Sequence, residues 1–341
     1  MNQETLDPNG PPPIQTRTFT YKNGILMGIS NSLYSETLSD SSGYNNTEKF
    51  YHGLYASAQT NYGSFTPAPP TNQYAYKFHY DKYGRLDIAA NTYKTNWSIG
   101  TTNPTTYDLD GNLTQLQRAS MGSKTYTYKT GTNTPQTIGS WSYSADATGN
   151  ITSAGSSSTT MTYDPFTELT MREVKGTRKQ NYQYDGKKER VLKIDSNGTV
   201  VKTVYLQGLN DYPLMVISGS TEYVYVYGIG GMVAMRVNGT WFYVMRDHLG
   251  STKLIVNNNS AVVARYEYDP YGKYLDSLYI NTGSAYQFTG HELDETGLYN
   301  FRARMYDTSA AIFYAADPAG QGYSRYGYCG GNPVIFVDPT G

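Results

Sequence analysis

Short runs in which polar and apolar residues alternate, broken by Gly, Asn or Asp, fill most of this chain. Period-two alternation is the mark of a strand with one face buried. Around YDGKKERV, Tyr182 and Tyr184 lead into a polar break and Val191 and Lys193 resume the alternation beyond it, which predicts two antiparallel strands and a tight turn. The unit recurs in the form Tyr-Asp-x-x-Gly-x-Leu: YDKYGRL from Tyr80, YDLDGNLT from Tyr107, a stretched YSADATGNIT from Tyr143, YDPFTEL from Tyr163, YDGKKERV from Tyr184 and YDPYGKYL from Tyr268. Tyr163, Tyr184 and Tyr205 are 21 residues apart, and Tyr268 lies five such steps beyond Tyr163. Asp starts each turn and Gly or Asn ends it in a left-handed conformation, so each repeat reads as one hairpin.

A lone hairpin is marginal in water, so the units must stack into a continuous sheet with one buried face. Tyr suits that face, because its ring packs as an apolar body while its hydroxyl reaches water or a neighbouring strand. An earlier hairpin is expected from Phe19, where FTYKNGILMGI carries the type I′ signal Asn23-Gly24. Residues 30 to 72 are less regular and read as degenerate repeats, with a loop or linker at 66 to 73. The expected divisions are an irregular segment at 1–72, hairpin repeats at 73–222 and a denser unit at 223–341.

Composition narrows the class. The chain has 341 residues with 36 Tyr and 34 Gly and only 16% charged residues, where about 25% is ordinary. Tyr, Thr and Val favour a pleated surface and Gly and Asn favour tight turns, so the bias argues for an all-β protein. A net charge of −1 without a basic stripe removes nucleic acid from the expected partners. No apolar run approaches the ~20 residues of a membrane helix. The first residues, MNQETLDPNGPPPIQ, lack the basic and apolar regions of a secretory signal. The single Cys329 excludes an intramolecular disulfide and a Cys-based zinc cluster, and no pattern calls for a metal or cofactor.

The second half carries an ordered set of boxes: RDHLGS around His248, YDPYG from Tyr268, Phe288-Thr289-Gly290, DETGLY from Asp294, ARMYD from Ala303, and two Asp-Pro-x-Gly units at Asp317 to Gly320 and Asp338 to Gly341, with Asn332-Pro333 before the last. In this order the sequence resembles the conserved core of the Rhs/YD-repeat proteins, the group that includes the C component of insecticidal toxin complexes. The core resemblance covers about residues 223 to 341, and a looser one reaches back to about residue 74. It implies stacked hairpins forming a spiralling, partly closed hollow shell with a C-terminal core or plug. This chain would supply part of such a shell, its N-terminal edge covered by upstream repeats or another chain.

In many members of that family the core is an aspartyl autoprotease that cuts shortly after the second DPxG and releases a C-terminal toxin inside the shell. The resemblance maps the two aspartates onto Asp317 and Asp338, and an arginine thirteen residues before the first onto Arg304. Two carboxylates sharing one proton can divide the work, the ionised one activating water and the protonated one polarising the carbonyl, with a guanidinium steadying the charge. The plainer reading makes both aspartates turn residues and pairs Arg304 with Asp307 or Glu292 on the surface. Thr308, Ala311 and Ile312 stand where the family has Pro, Gly and Arg. The expected partners are a C-terminal toxin segment or upstream shell repeats, a carbohydrate or a secretion-system component, and the resemblance places the protein outside the cell or on its surface. The competing function is a non-catalytic surface module that binds carbohydrate or protein; tyrosines facing inward would favour the shell, tyrosines facing outward the module.

Three further groups were open to chemistry. His248 beside Asp247 reads as a hydrogen-bonded turn residue rather than a metal ligand. Glu292, Asp294 and Glu295 read as an exposed acidic turn, with cation binding as the alternative. Gly228, Gly230 and Gly231 lack the Lys-Ser/Thr of a phosphate loop and read as a turn.

Overall fold

The computed structural model describes residues 2–5, 16–22, 25–30, 34–39, 55, 57–62, 74–208, 212–228, 231–259, 261–279, 284–321 and 324–341. Among them there is no α-helix, only three single-turn 3-10 segments. Antiparallel ladders join strands that follow one another in sequence: seven between Asn2 and Asn91, then eighteen between Thr106 and Tyr279. Ile99 bridges Ala89 on one side and Arg118 on the other, so the first sheet runs on into the second. The strip curls round on itself as a spiral, and no ladder joins its last strand, Tyr274–Tyr279, to Thr106–Tyr107 among the described residues. The irregular N-terminal region supplies regular strands as well, Tyr34–Ser39 and Ser57–Tyr62, paired over six residues. The predicted 66–73 loop and the Asn23-Gly24 turn lie outside the described residues, although the strands flanking that turn do pair.

The repeat acquires a physical explanation at its turns. Asp81 accepts the backbone N–H groups of Tyr83 and Arg85 on one carboxylate oxygen, and its carbonyl accepts Gly84, which takes φ +78°. Asp146, Asp185, Asp247 and Asp269 hold their turns the same way, through the N–H groups two and four residues on. Where Gly is missing, Glu168 and Lys188 take the left-handed position at φ +61° and +67°. Where a Tyr precedes the Asp it sits at a register shift, and its hydroxyl crosses to a backbone carbonyl of an earlier strand: Tyr107 to Leu86, Tyr163 to Ile151, Tyr184 to Thr170 and Tyr268 to Thr252, and Tyr128 to Leu113 and Tyr227 to Pro213 do the same at turns without Asp, all at 2.6 to 3.1 Å. Asp thus closes each hairpin and Tyr clasps it to the one before.

Residues 284–321 and 324–341 fill the concave side of the curl. They carry a small four-stranded sheet and a cluster of buried rings, Phe288, Tyr299, Phe301, Tyr306, Phe313 and Tyr328. Strands all along the spiral reach this plug: Arg118 donates to the carbonyls of Thr308 and Ser309, Tyr126 to Ala310, the Ile151 amide to Tyr314, and the Thr252 amide to Gln287. The acidic trio is the largest departure from expectation. Glu292 and Asp294 are buried and meet Arg190 and Lys193 at 2.9 to 3.2 Å, so these two are neither an exposed turn nor a cation site but the lock between plug and shell, while Glu295 is exposed, as expected, and meets Lys193 at 3.0 Å from the rim. Gly228 and Gly231 pair across the end of a hairpin, as the turn reading requires; Gly230 lies outside the described residues.

Candidate functional site

Arg304 closes the hairpin turn at 301–304 and is buried, its guanidinium 3.7 Å from the Phe313 ring centre. One Nη donates to the Arg325 carbonyl at 3.0 Å, the other to Asp338 Oδ2 at 3.1 Å. Its partner is therefore neither Asp307, which binds Ser156 and Tyr314, nor Glu292, and the pair is not on the surface. Burial lowers the Arg304 pKa from its usual value, and the charges of Asp338 and Asp317 oppose that shift.

Asp317 and Asp338 each staple a turn, like the aspartates of the repeats. Asp317 accepts Ala319 on Oδ1 at 2.9 Å and Gln321 on Oδ2 at 2.7 Å. Asp338 Oδ1 accepts Thr340 at 3.2 Å and Gly341 at 2.8 Å. The turn reading of both units is thus correct locally, and tertiary structure adds to it: Asp317, Asp338 and Arg304 line one open cavity of about 930 Å³. No hydrogen bond joins the two carboxylates directly; Arg304 contacts Asp338 and feels the charge of both.

The end of the second turn is held closely. Gly341 is buried at φ +79°, and a Cβ there would lie 2.4 Å from the Phe301 carbonyl, so only glycine fits. Ala303 donates to the Thr340 carbonyl at 3.0 Å. His291, stacked on Phe301 with ring centres 3.7 Å apart, backs the turn through the Pro339 carbonyl; burial pushes its pKa down to about 4 against the pull of that bond and of Asp338.

The opposite wall of the cavity was not foreseen. It comes from the turns of two early repeats, with Tyr83, Arg85, Asp108 and Asp110, while Cys329 lies on the plug side, its thiol pKa raised by burial. Arg85 is fixed by Asp81 and donates to the Asp108 carbonyl at 3.2 Å. Nothing distinguishes these turns from their siblings in sequence, because only the curl of the sheet brings them against the C-terminal segment.

The sequence profile of the Teneurin YD-shell family matches residues 56–324. The chain belongs to that family. Among relatives of this YD-shell protein, the tRNA3(Ser)-specific nuclease WapA of Bacillus spizizenii is 30% identical over 76% of the chain, salivary gland surface protein 1 of Aedes aegypti 32% over 52%, and toxin subunit YenC2 of Yersinia entomophaga 29% over 48%. The chain spans only 12%, 6% and 19% of those proteins respectively. In fold, the YD-shell is similar to a chain of the Photorhabdus luminescens Tc holotoxin pore, with a TM-score of 0.74 at 17% identity over 95% of this chain and 18% of that one. A TcdB2-TccC3 crystal structure gives 0.62 at 17% identity, over 95% of this chain and 19% of that one.

Proposed function

We propose that this YD-shell segment is the closing part of a capsule that encloses a C-terminal toxin segment, and that Asp317, Asp338 and Arg304 cut the chain just after the second DPxG. The observation that carries the reading is the grip of Asp338 on Gly341: the same carboxylate accepts the Gly341 N–H and the Arg304 guanidinium, and so stands beside the bond to be cut. In the proposed step, water held between the carboxylates loses a proton to one of them and attacks the Gly341 carbonyl. The other carboxyl protonates the leaving nitrogen, and Arg304 steadies the oxyanion. The inward tyrosines, among them Tyr126, Tyr182, Tyr205, Tyr225 and Tyr266, support a shell over a surface module that would display them. Upstream repeats are the proposed neighbours along the free edge, and the proposed location is outside the cell.

The test uses the chain extended past Gly341 by its natural reading frame or by a folded reporter. Intact mass should show a break shortly after Gly341 with no added protease. Asp338→Asn and Asp317→Asn should each abolish it with the fold kept, and Arg304→Ala should slow it less. A wild-type chain that stays whole, or Asn variants that are cut as fast, would overturn the proposal.

A further inference from the structure

His248 lies in the turn stapled by Asp247, yet its own contacts run elsewhere. Its backbone N–H and Nδ1 reach the two oxygens of Glu36 at 2.7 and 3.0 Å, and Nε2 lies 2.7 Å from the Val334 carbonyl. Glu36 sits buried on Tyr34–Ser39 in the N-terminal sheet, and Val334 is four residues before Asp338. One imidazole therefore joins the N-terminal sheet to the segment that carries the candidate site.

Two more ties point the same way. Asn332 Nδ2 donates to the Gly84 carbonyl at 2.8 Å, and the Tyr107 hydroxyl lies 3.1 Å from the Gly331 carbonyl, where a side chain at Gly331 would strike the Tyr107 ring. Residues 331–334 are thus anchored on the early repeats, and 338–341 on Arg304 and Ala303. Between the anchors, Phe336 and Val337 are exposed, so the position of Asp338 is set from the two ends.

We propose that His248 is a positioning residue for the second DPxG turn, tying it to the N-terminal sheet so that cutting after Gly341 waits until that sheet is seated against the plug. The inference rests on the cleavage reading above. The groups that face His248 are Glu36 from the N-terminal sheet, Asp247 beside it, Lys253 and Glu267 from the strands Thr252–Asn257 and Val262–Tyr268, and the Tyr55 ring edge-on at 5.3 Å. Burial opposes a charge on His248, but the Glu36 carboxylate, with Asp247 in support, raises its pKa to about 9. Burial likewise would raise Glu36, and His248 outweighs it and holds Glu36 below its ordinary value. The imidazolium donates from both nitrogens, and that clamp is lost as pH rises through about 9.

The experiment follows cleavage against pH by intact mass in the extended chain, with hydrogen exchange of the Thr340 and Gly341 amides as a second readout. Cleavage is read at each pH as the ratio of variant to wild type, which cancels the titration of the two aspartates, and in wild type the part that depends on His248 should be lost above pH 9. Glu36→Gln keeps the shape but removes the charge, so its fall should move toward the ordinary histidine range near pH 6.5, leaving cleavage at pH 8 about thirtyfold slower. His248→Gln should be slow throughout, with no break near pH 9. In both variants the two amides should exchange about tenfold faster while those of Thr159–Tyr163 stay as they were. Faster exchange without any wild-type cleavage would keep His248 in this role and sink the autoprotease. Wild-type cleavage with unchanged rate, pH profile and exchange in both variants would overturn the inference itself.

Discussion

Glu173 offers a test of the plug–shell lock that does not depend on cleavage. It lies fully buried on Thr170–Lys175 and accepts the Thr296 hydroxyl of the plug at 2.6 Å. Burial, and then the charge of Asp294, raises its carboxyl from 4.5 to about 7, while Arg190 pulls the other way. The folded protein therefore binds this proton more tightly than the unfolded chain does. The stability it contributes is whole below pH 4.5 and is lost as pH climbs to about 7, a difference of about 3 kcal/mol. Glu173→Gln holds the neutral shape at every pH. Its stability relative to wild type should therefore climb by about 3 kcal/mol between pH 4.5 and 8, which for a chain of this length is about 5 °C in Tm. Urea and thermal melts of both proteins at the two pH values give the number, and taking the difference cancels groups that titrate alike in both. A gap that does not change with pH, or a variant weaker than wild type at pH 8, would refute the argument.

Arg190→Met should cost about 3–5 kcal/mol by urea unfolding, since it leaves Asp294 and Glu292 buried beside Lys193 alone. Glu168→Gly and Lys188→Gly should each stabilise by about 0.5–1 kcal/mol in melting experiments, because both positions now hold a side chain in the left-handed region. Tyr163→Phe should cost about 1 kcal/mol in the same assay, as its hydroxyl lies 2.8 Å from the Ile151 carbonyl and 3.1 Å from that of Tyr314, clasping a hairpin and the plug together.

What the sequence determined by itself was local. Alternation, the 21-residue period and the Asp-to-Gly turn specify hairpins because their physics spans a few neighbouring residues: an Asp oxygen reaches N–H groups two and four residues on, and glycine relieves one left-handed angle. Asp317 and Asp338 could be read as turn residues on the same grounds, and the ordered boxes before them marked the family. The exposure of a charge could not be read this way. Glu292 and Asp294 look, like the exposed Glu295 beside them, to belong to a solvated turn until Arg190 and Lys193, about a hundred residues earlier, supply the partners that make their burial tolerable. The partner of Arg304, the reach of His248 to Glu36 across 212 residues and the wall that Arg85 and Asp108 give the cavity follow the same rule. Each depends on how far the twisted strip curls before the plug fills it, and that curl is the sum of small twists over some two dozen strands rather than a property of any one repeat.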